Sequence, residues 1–150
     1  MTAGAGKINT SKKPELLAPA GGPDAGFAAL QYGADAVYLG LTQFSARADA
    51  INFTPEELGE ITAYAHSLAP RRRVYLALNT LVLDAELDTA MATLAVADEC
   101  GVDAVIVQDL GVARMVRRHF PNLVLHASTQ MAIHNREGVE PLQTLGFKRV

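Results

Sequence analysis

The sequence contains only one cysteine, Cys100, in 150 residues. A single cysteine cannot form an internal disulfide framework, and it cannot by itself supply a cysteine-ligated zinc or iron–sulfur site. A basic excess is also missing, because 13 Lys and Arg stand against 16 Asp and Glu, for a formal net charge of −3. The charge therefore gives no global footprint for nucleic acid or for an anionic membrane. The cysteine content fits a reducing compartment, with the cytoplasm as the default location.

Long apolar segments are absent as well. No run approaches the roughly 20 apolar residues that span a bilayer, so no membrane association is predicted. The first 13 residues are small and polar, include three lysines, and lack the apolar core of a signal peptide. We interpret residues 1–13 as a disordered leader and residues 14–150 as the N-terminal part of one folded domain. Its 49% hydrophobic and 19% charged composition is that of an ordinary globular protein.

From Pro14 onward, short apolar runs alternate with segments of helical period. This alternation predicts a parallel α/β sheet built with right-handed crossovers. Strands are predicted over Glu15–Ala18, Ala36–Gly40, Val74–Leu78, Ala104–Val107 and Leu123–Ala127, and a sixth begins near Lys148. Helices are predicted over Pro23–Tyr32, Pro55–Leu68, Glu86–Cys100, Gly111–His119 and Arg136–Leu145.

The sequence also repeats itself. The segment GADAVY at 33–38 recurs as GVDAVI at 101–106, and GFKRV at 146–150 is a looser third copy. Each copy combines a helix stop, a polar turn and the start of a buried strand. This is the repeating joint of a (β/α) barrel, although a doubly wound sheet uses similar chemistry.

A TIM-type (β/α) barrel is favoured because the βα series is unbroken and polar residues gather just after the strands. A closed barrel needs eight βα units and about 250 residues. Only five complete units are visible here, and the sequence ends inside an apolar strand signal. We therefore expect the first part of a barrel domain that is incomplete at its C-terminus.

Active sites of such barrels lie at the carboxyl ends of the strands, which directs attention to the fifth strand. Strand alternation places His126 and Ser128 on one face, with Gln130 just beyond them. A histidine there can donate, accept or shuttle a proton near neutral pH. The alternative is that His126 is a core histidine that is hydrogen-bonded to a neighbouring strand.

Other polar residues follow the third and fourth strands. Asp109 can orient a histidine or bind a substrate hydroxyl, or it can simply cap the next helix. Gln108 precedes it, and Asn79 ends the third strand, where turn chemistry is the alternative. The connection from Leu41 to Phe53 exceeds the usual 2–6 residues of a βα loop.

That long connection carries Arg47 and Asn52. Arg47 is a candidate for binding a carboxylate or phosphate, and the alternative is a solvated loop arginine. Two basic clusters, at 71–73 and at 114, 117 and 118, indicate either solvated faces or an RNA-docking surface. The remaining histidines have no metal-ligand spacing, so no metal site is predicted in this chain.

Several motifs resemble one known family. They are ELLAPAGG at 15–22, GADAVYLG at 33–40, INF at 51–53, LNT at 78–80, GVDAVIVQDLG at 101–111, LHASTQ at 125–130 and GFKRV at 146–150. Together they resemble the collagenase-like peptidases of unknown catalytic type, family U32. The resemblance extends from about Pro14 to the last residue and implies a (β/α) barrel.

The resemblance implies an oxygen-independent hydroxylase that carries a four-iron four-sulfur cluster. Branches of the family hydroxylate a ribosomal RNA cytidine, a transfer RNA uridine or a ubiquinone precursor, and the motifs look closest to the ribosomal RNA branch. RNA is the implied partner, and a prephenate-derived molecule is the implied hydroxyl donor. The family's cluster cysteines lie downstream of the matched region, so no cofactor is expected within this chain, and this part alone is expected to be inactive. The residues carried over are His126, Asp109 and Gln130 as catalytic candidates, and Arg47, Asn52, Asn79, Gln108 and Ser128 as substrate-binding candidates.

Two other functions are compatible with the sequence. The family name suggests a peptidase, but there is no GxSxG elbow, and Ser128 and His126 lie too close along one strand for a good nucleophile–base pair. A non-catalytic half-barrel that binds a partner is the third possibility, although its exposed sheet edge argues against it. The sequence does not predict the oligomeric state.

Overall fold

The computed structural model describes residues 13–45 and 52–150. Nearly all of the predicted leader, and Arg47 with it, lies outside these residues. The strands are β1 (Leu17–Pro19), β2 (Ala36–Leu39), β3 (Arg73–Leu78), β4 (Ala104–Val107), β5 (Leu125–Ala127) and β6 (Phe147–Arg149). The helices are α1 (Pro23–Gln31), α2 (Pro55–Ser67), α3 (Leu87–Glu99), α4 (Leu110–His119) and α5 (Arg136–Thr144). Short 3-10 turns occupy Asp84–Glu86 and Thr129–Met131.

The six strands form one parallel sheet in the order β1-β2-β3-β4-β5-β6. Each strand pairs with the next one along the chain, with no change of direction in the strand order. A doubly wound sheet would reverse its strand order at a switch point. The sequential order therefore confirms the predicted α/β fold, which is compatible with a partial TIM-type barrel.

Strand alternation separates two apolar layers. Val37, Leu76 and Val105 belong to the large core between the sheet and the helices, and all three are fully buried. Tyr75 and Ala104 belong to a smaller cluster on the opposite, inner face of the sheet. The functional side chains described below belong to this inner face. Among the described residues, no helix is long and apolar enough to cross a membrane.

The repeated joint has a physical role at the amino ends of the strands. Asp35 accepts a hydrogen bond from the backbone N–H of Leu16 at 2.9 Å, and Asp103 accepts one from Val74 at 2.8 Å. In each case the aspartate before one strand fixes the start of the preceding strand. Gly33 and Gly101 have φ values of 104° and 69°, which favour glycine at the turn before each aspartate.

The arginines at 71–73 are also used at this end of the sheet. Arg71 pairs with Asp103 at 2.7 Å, and Arg72 pairs with Asp35 at 2.6 Å. Arg73 pairs instead with Glu15 at 2.6 Å, on the inner face. Three consecutive arginines thus bind three different carboxylates, and the cluster is committed to intramolecular ion pairs.

Helix α2 begins with a capping box. The backbone N–H of Thr54 donates to Glu57 Oε2 at 2.8 Å, and that of Glu57 donates to Thr54 Oγ1 at 3.2 Å. Pro55 occupies the first turn, where a missing N–H costs nothing. The helix then packs Leu58, Ile61 and Ala65 into the core.

Replacing Thr54 with alanine should lower the free energy of unfolding by about 1 kcal/mol, because a backbone N–H loses its cap. Urea denaturation of the two proteins measures this difference. Ser67→Ala is the control, because the Ser67 hydroxyl only donates back to the carbonyl of Tyr64 in the same helix. An equal loss of unfolding free energy in both variants would show that the capping box stabilises the protein no more than an ordinary hydroxyl on the same helix.

Candidate functional site

A cavity of about 440 Å³ opens at the carboxyl ends of strands β1 to β5. Its walls are apolar near the sheet and polar at the mouth, which is the usual construction of a small-molecule site. The apolar lining includes Tyr38, Ala77 and Ile106, on adjacent strands. The polar residues of the mouth are Ser45, Asn52, Asn79, Ser128, Thr129 and Gln130.

His126 lies at the base of this cavity. It is in the middle of β5, pairs with Ile106 of β4, and is only 7% exposed. Its ring packs edge to face on Tyr75, with 4.8 Å between the ring centroids. Within the described part of the chain the imidazole has no hydrogen bond, so the predicted alternative of a histidine bonded to a neighbouring strand is not observed. His126 lines the cavity as the first hypothesis requires.

The environment of His126 keeps its imidazole neutral. Burial lowers its pKa to about 4, the Arg149 guanidinium adds to the effect, and Glu15 opposes it only in part. At pH 7 the ring therefore offers one donor and one acceptor nitrogen to a ligand. A neutral imidazole of this kind can accept a proton, but it cannot serve as a fixed cation for an anionic ligand.

A charged network lies on the same inner face of the sheet. Glu15 accepts hydrogen bonds from Arg149 at 2.8 Å, from Arg73 at 2.6 Å and from the Tyr75 hydroxyl at 2.9 Å. The Arg149 guanidinium also lies over the Tyr75 ring, 5.2 Å from its centroid. Burial by itself raises the pKa of Glu15, but the hydrogen bonds from Arg149, Tyr75 and Arg73 outweigh it and lower the pKa.

This network was missed by the sequence analysis. Glu15 and Arg149 are 134 residues apart, and only the curvature of the sheet brings them together. The available signal was strand alternation, which puts Arg73 and Tyr75 on one face of β3. The consequence for the site is that Arg149, although it lines the cavity, has its charge compensated by Glu15.

Gln130 joins two other predicted site residues at the cavity mouth. Its side-chain oxygen accepts a short hydrogen bond from the Ser128 hydroxyl and a 3.4 Å bond from Asn79 Nδ2. A third donor, Thr129 Oγ1, lies at 3.4 Å. Because the oxygen is already occupied, the amide nitrogen of Gln130 is the group left to meet an acceptor on a ligand.

Two predicted residues are placed elsewhere. Asp109 caps α4 by accepting from the Val112 N–H at 3.0 Å, and it also accepts from Val82 N–H at 3.4 Å. These bonds hold its carboxylate at the helix start, so the helix-cap interpretation is observed, and Asp109 does not line the cavity. Gln108 does not line it either, because β4 ends at Val107 and the chain turns directly into the cap.

The long connection after β2 returns to the site. Leu41 and Phe53 form an isolated parallel bridge, and Phe53 is fully buried. The bridge brings Asn52 to the cavity mouth, and the role of this residue in substrate binding remains a prediction. Arg47 lies outside the described residues, so its predicted role remains a prediction.

The residues of this chain do not fit an iron–sulfur cluster. Such clusters are held mainly by several cysteine thiolates, and the sequence has only Cys100. Cys100 follows α3, and its Sγ lies 3.7 Å from the carbonyl oxygen of Pro55, at the start of α2 rather than in the cavity. Among the described residues, no group of three His, Cys, Asp or Glu side chains is arranged to hold a metal ion.

Sequence similarity to known proteins extends along almost the whole chain. The model of "Peptidase family U32" matches residues 21–150. A tRNA hydroxylation protein of Bacillus subtilis is 34% identical over 97% of this chain and 34% of its own length. A 23S rRNA 5-hydroxycytidine synthase of Escherichia coli is 36% identical over 94% of this chain and 21% of its own length. An uncharacterized protease of Methanocaldococcus jannaschii is 43% identical over 81% of this chain and 29% of its own length.

Comparison with solved structures supports the fold. A U32 peptidase structure superposes with a TM-score of 0.66 at 16% identity, covering 96% of this chain and 62% of that one. At this identity the likeness concerns the fold alone. The chain spans about a third or less of the length of the curated relatives described above.

Proposed function

The chain belongs to peptidase family U32, and we propose that it is the N-terminal barrel part of an oxygen-independent RNA hydroxylase. The observation that carries the proposal is the similarity to RNA-hydroxylating relatives along almost the whole chain. It includes the strand ends that build the cavity. Both of those relatives are named for hydroxylation of RNA, which supports RNA as the substrate class.

The cavity supports a nucleobase as the group that is bound. A base has flat apolar faces and a polar edge, and base recognition combines stacking with hydrogen bonds to that edge. Here Tyr38 and Ile106 supply apolar walls, and the amide of Gln130 supplies a donor at the mouth. A base held inside a duplex must leave the stack to reach such a pocket.

Within this pocket His126 is proposed to act on the base. Hydroxylation replaces a ring C–H by C–OH, which is a two-electron oxidation of the base. The ring hydrogen leaves as a proton, and the hydroxyl donor, which gives up its hydroxyl group and gains a hydrogen, accepts the two electrons. A neutral imidazole is able to take this proton, because the lowered pKa of His126 keeps the acceptor nitrogen free at pH 7. The base would be oriented by Ser128, Asn79 and Gln130, whose side chains are held in place by hydrogen bonds to one another.

The cofactor and donor are proposed to come from outside this chain. A four-iron four-sulfur cluster would require cysteines in another part of the protein, since this chain has one. A prephenate-derived molecule is proposed as the hydroxyl donor, and the cytoplasm as the location, where RNA substrates are found. Isolated residues 1–150 are proposed to be inactive. A ubiquinone precursor is the alternative acceptor of the hydroxyl group.

A peptidase is the second candidate, favoured by the protease name of the archaeal relative. The site geometry gives it little support, because the Ser128 hydroxyl donates to Gln130 rather than to His126. A serine nucleophile needs a base within hydrogen-bonding distance. Cleavage of peptides by pure protein, lost in Ser128→Ala, would favour this candidate.

Anaerobic purification of the complete gene product should give a brown protein that contains iron and absorbs broadly near 400 nm, as thiolate-ligated clusters do. Deleting the gene should remove one hydroxylated nucleoside, which mass spectrometry of digested ribosomal and transfer RNA would detect. Restoring the gene on a plasmid is the control. A colourless protein that stays iron-free after reconstitution, with unchanged RNA nucleosides, would overturn the proposal.

A further inference from the structure

The arginines of the described residues fall into two groups. Five form ion pairs with carboxylates, and three have no such partner in the part of the chain that the structure describes. The paired residues are Arg71, Arg72, Arg73, Arg136 and Arg149. The unpaired residues are Arg114, Arg117 and Arg118, and all three lie on helix α4. The positive charge that is free to meet a partner is thus concentrated on one helix.

Helix α4 presents these arginines away from the core. Val112, Ala113 and Val116 are buried against the rest of the domain, whereas the three arginines are exposed. Positions 114, 117 and 118 are three and four residues apart, so they share one face of the helix. The helix contains no acidic residue to offset them. A local patch of about three positive charges therefore stands on a chain whose net charge is −3.

Helix stability explains only part of this arrangement. Cations in the last turn interact favourably with the helix dipole, which accounts for Arg117 and Arg118. The effect fades within the last turn, and Arg114 lies one turn earlier. A shallow groove of about 580 Å³ also runs beside Arg114 and Arg117, toward Leu145 at the end of α5. Helix capping explains neither the presence of Arg114 nor this groove.

We propose that the exposed face of α4, formed by Arg114, Arg117 and Arg118, binds the phosphate backbone of the RNA whose base enters the cavity. This inference rests on the proposed function and extends it to a second surface. Arginine forks match phosphate oxygens, and unpaired arginines bind them without first breaking an internal ion pair. A polyanion fits better than a neutral or basic protein surface.

The position of α4 is consistent with this role. The helix follows β4 directly, and β4 contributes Ile106 to the wall of the cavity. A helix of 10 residues is about 15 Å long at 1.5 Å per residue. Helix α4 runs back from the carboxyl end of β4 toward the amino ends of the strands, where Arg117 lies against Gly146 just before β6. Arg114 therefore lies about one helical turn below the mouth on the outer wall, and Arg117 and Arg118 lie about two turns below it. The backbone of an RNA that leaves the mouth and runs along the outer wall of the domain can reach all three.

The test measures RNA binding by the complete gene product across a range of salt concentrations. The probes are mixed bacterial transfer RNA and a 23S ribosomal RNA transcript, and the variant is Arg114→Gln with Arg118→Gln. Arg117 is retained because its side chain packs directly over Gly146. The control is Arg71→Gln with Arg136→Gln, which removes the same net charge from two arginines that are already paired.

In the α4 variant, Kd for the RNA should rise roughly tenfold near 0.1 M salt, and the slope of log Kd against log salt should fall by about 1.5, as expected for two lost phosphate contacts. The control should keep the slope of the unsubstituted protein. Equal salt slopes in both variants would overturn the inference. A lowered Tm of the α4 variant with unchanged RNA binding would also overturn it, because the arginines would then contact another part of the protein and not the RNA. If the unsubstituted protein binds no RNA at all, the proposed function itself fails; if it binds and modifies RNA but the variant is normal, only this surface is rejected.

Discussion

Replacing His126 with alanine in the complete gene product is expected to lower the rate of RNA hydroxylation by about 100-fold or more, the usual loss when a proton acceptor is removed. His126 lines the cavity, is 7% exposed, and is neutral because burial lowers its pKa to about 4. Alanine removes the only imidazole among the residues that line the described cavity. Hydroxylated nucleoside formed per minute, measured by mass spectrometry, gives the rate.

The pH dependence provides a sharper test of the same residue. A histidine with a lowered pKa is active as the neutral form, so its contribution is present at pH 7 and is lost as the pH falls toward 4. The ratio of unsubstituted to His126→Ala rates should therefore be constant from about pH 6 to 8 and shrink below about pH 5. His134→Ala, at an exposed histidine outside the cavity, should match the unsubstituted protein. Normal turnover by the His126→Ala protein would exclude the proposed role.

Much of the fold was predictable because its signals are local. The repeat at 33–38 and 101–106 places glycine where a positive φ is needed and aspartate where a backbone N–H must be fixed. Capping residues such as Thr54 mark helix starts in the same way. The start of β1 was predicted two residues too early. The backbone N–H of Leu16 bonds to the side chain of Asp35 rather than to a neighbouring strand.

The site was only partly predictable because contacts across the inner face are not local. Alternation indicates that His126 and Ser128 point the same way, and the structure brings Gln130 and Asn79 to them. Strand alternation does not indicate which inward-facing side chains of distant strands contact each other. Nor does it distinguish two roles for Asp109, since the same residue satisfies a helix cap and a catalytic carboxylate until geometry decides.

The three arginines at 71–73 illustrate the same limit. As a sequence they form one basic cluster, yet strand alternation places Arg73 on the inner face. Arg71 and Arg72 instead bind Asp103 and Asp35, which belong to the repeated joint. A cluster of charge in sequence is therefore not a cluster of available charge. Ion pairing in the structure is what separates this run from the arginines of α4.

Glu15→Gln is expected to lower the free energy of unfolding by about 2 to 3 kcal/mol, although the substitution changes little in shape. Removing one partner of a buried ion pair costs about 3–5 kcal/mol because the other charge is left uncompensated. Here the expected value is lower, since Arg73 and Arg149 are 55% and 41% exposed and water stabilises them in part. Glu15 itself is only 17% exposed, and it is the acceptor that holds both guanidiniums and the Tyr75 hydroxyl.

Urea denaturation of the complete gene product measures the change, with Glu140→Gln as the matched control. Glu140 pairs with Arg136 four residues away on an exposed helix face, so the same substitution should cost no more than about 0.5 kcal/mol there. The lowered pKa of Glu15 means that its stabilisation is present above its ordinary pKa of 4.5 and is lost as the pH falls through the lowered value. The difference between unsubstituted and Glu15→Gln proteins should therefore narrow in acid. Equal losses in the two variants at pH 7 would show that the inner network contributes no more to the free energy of unfolding than a surface ion pair does.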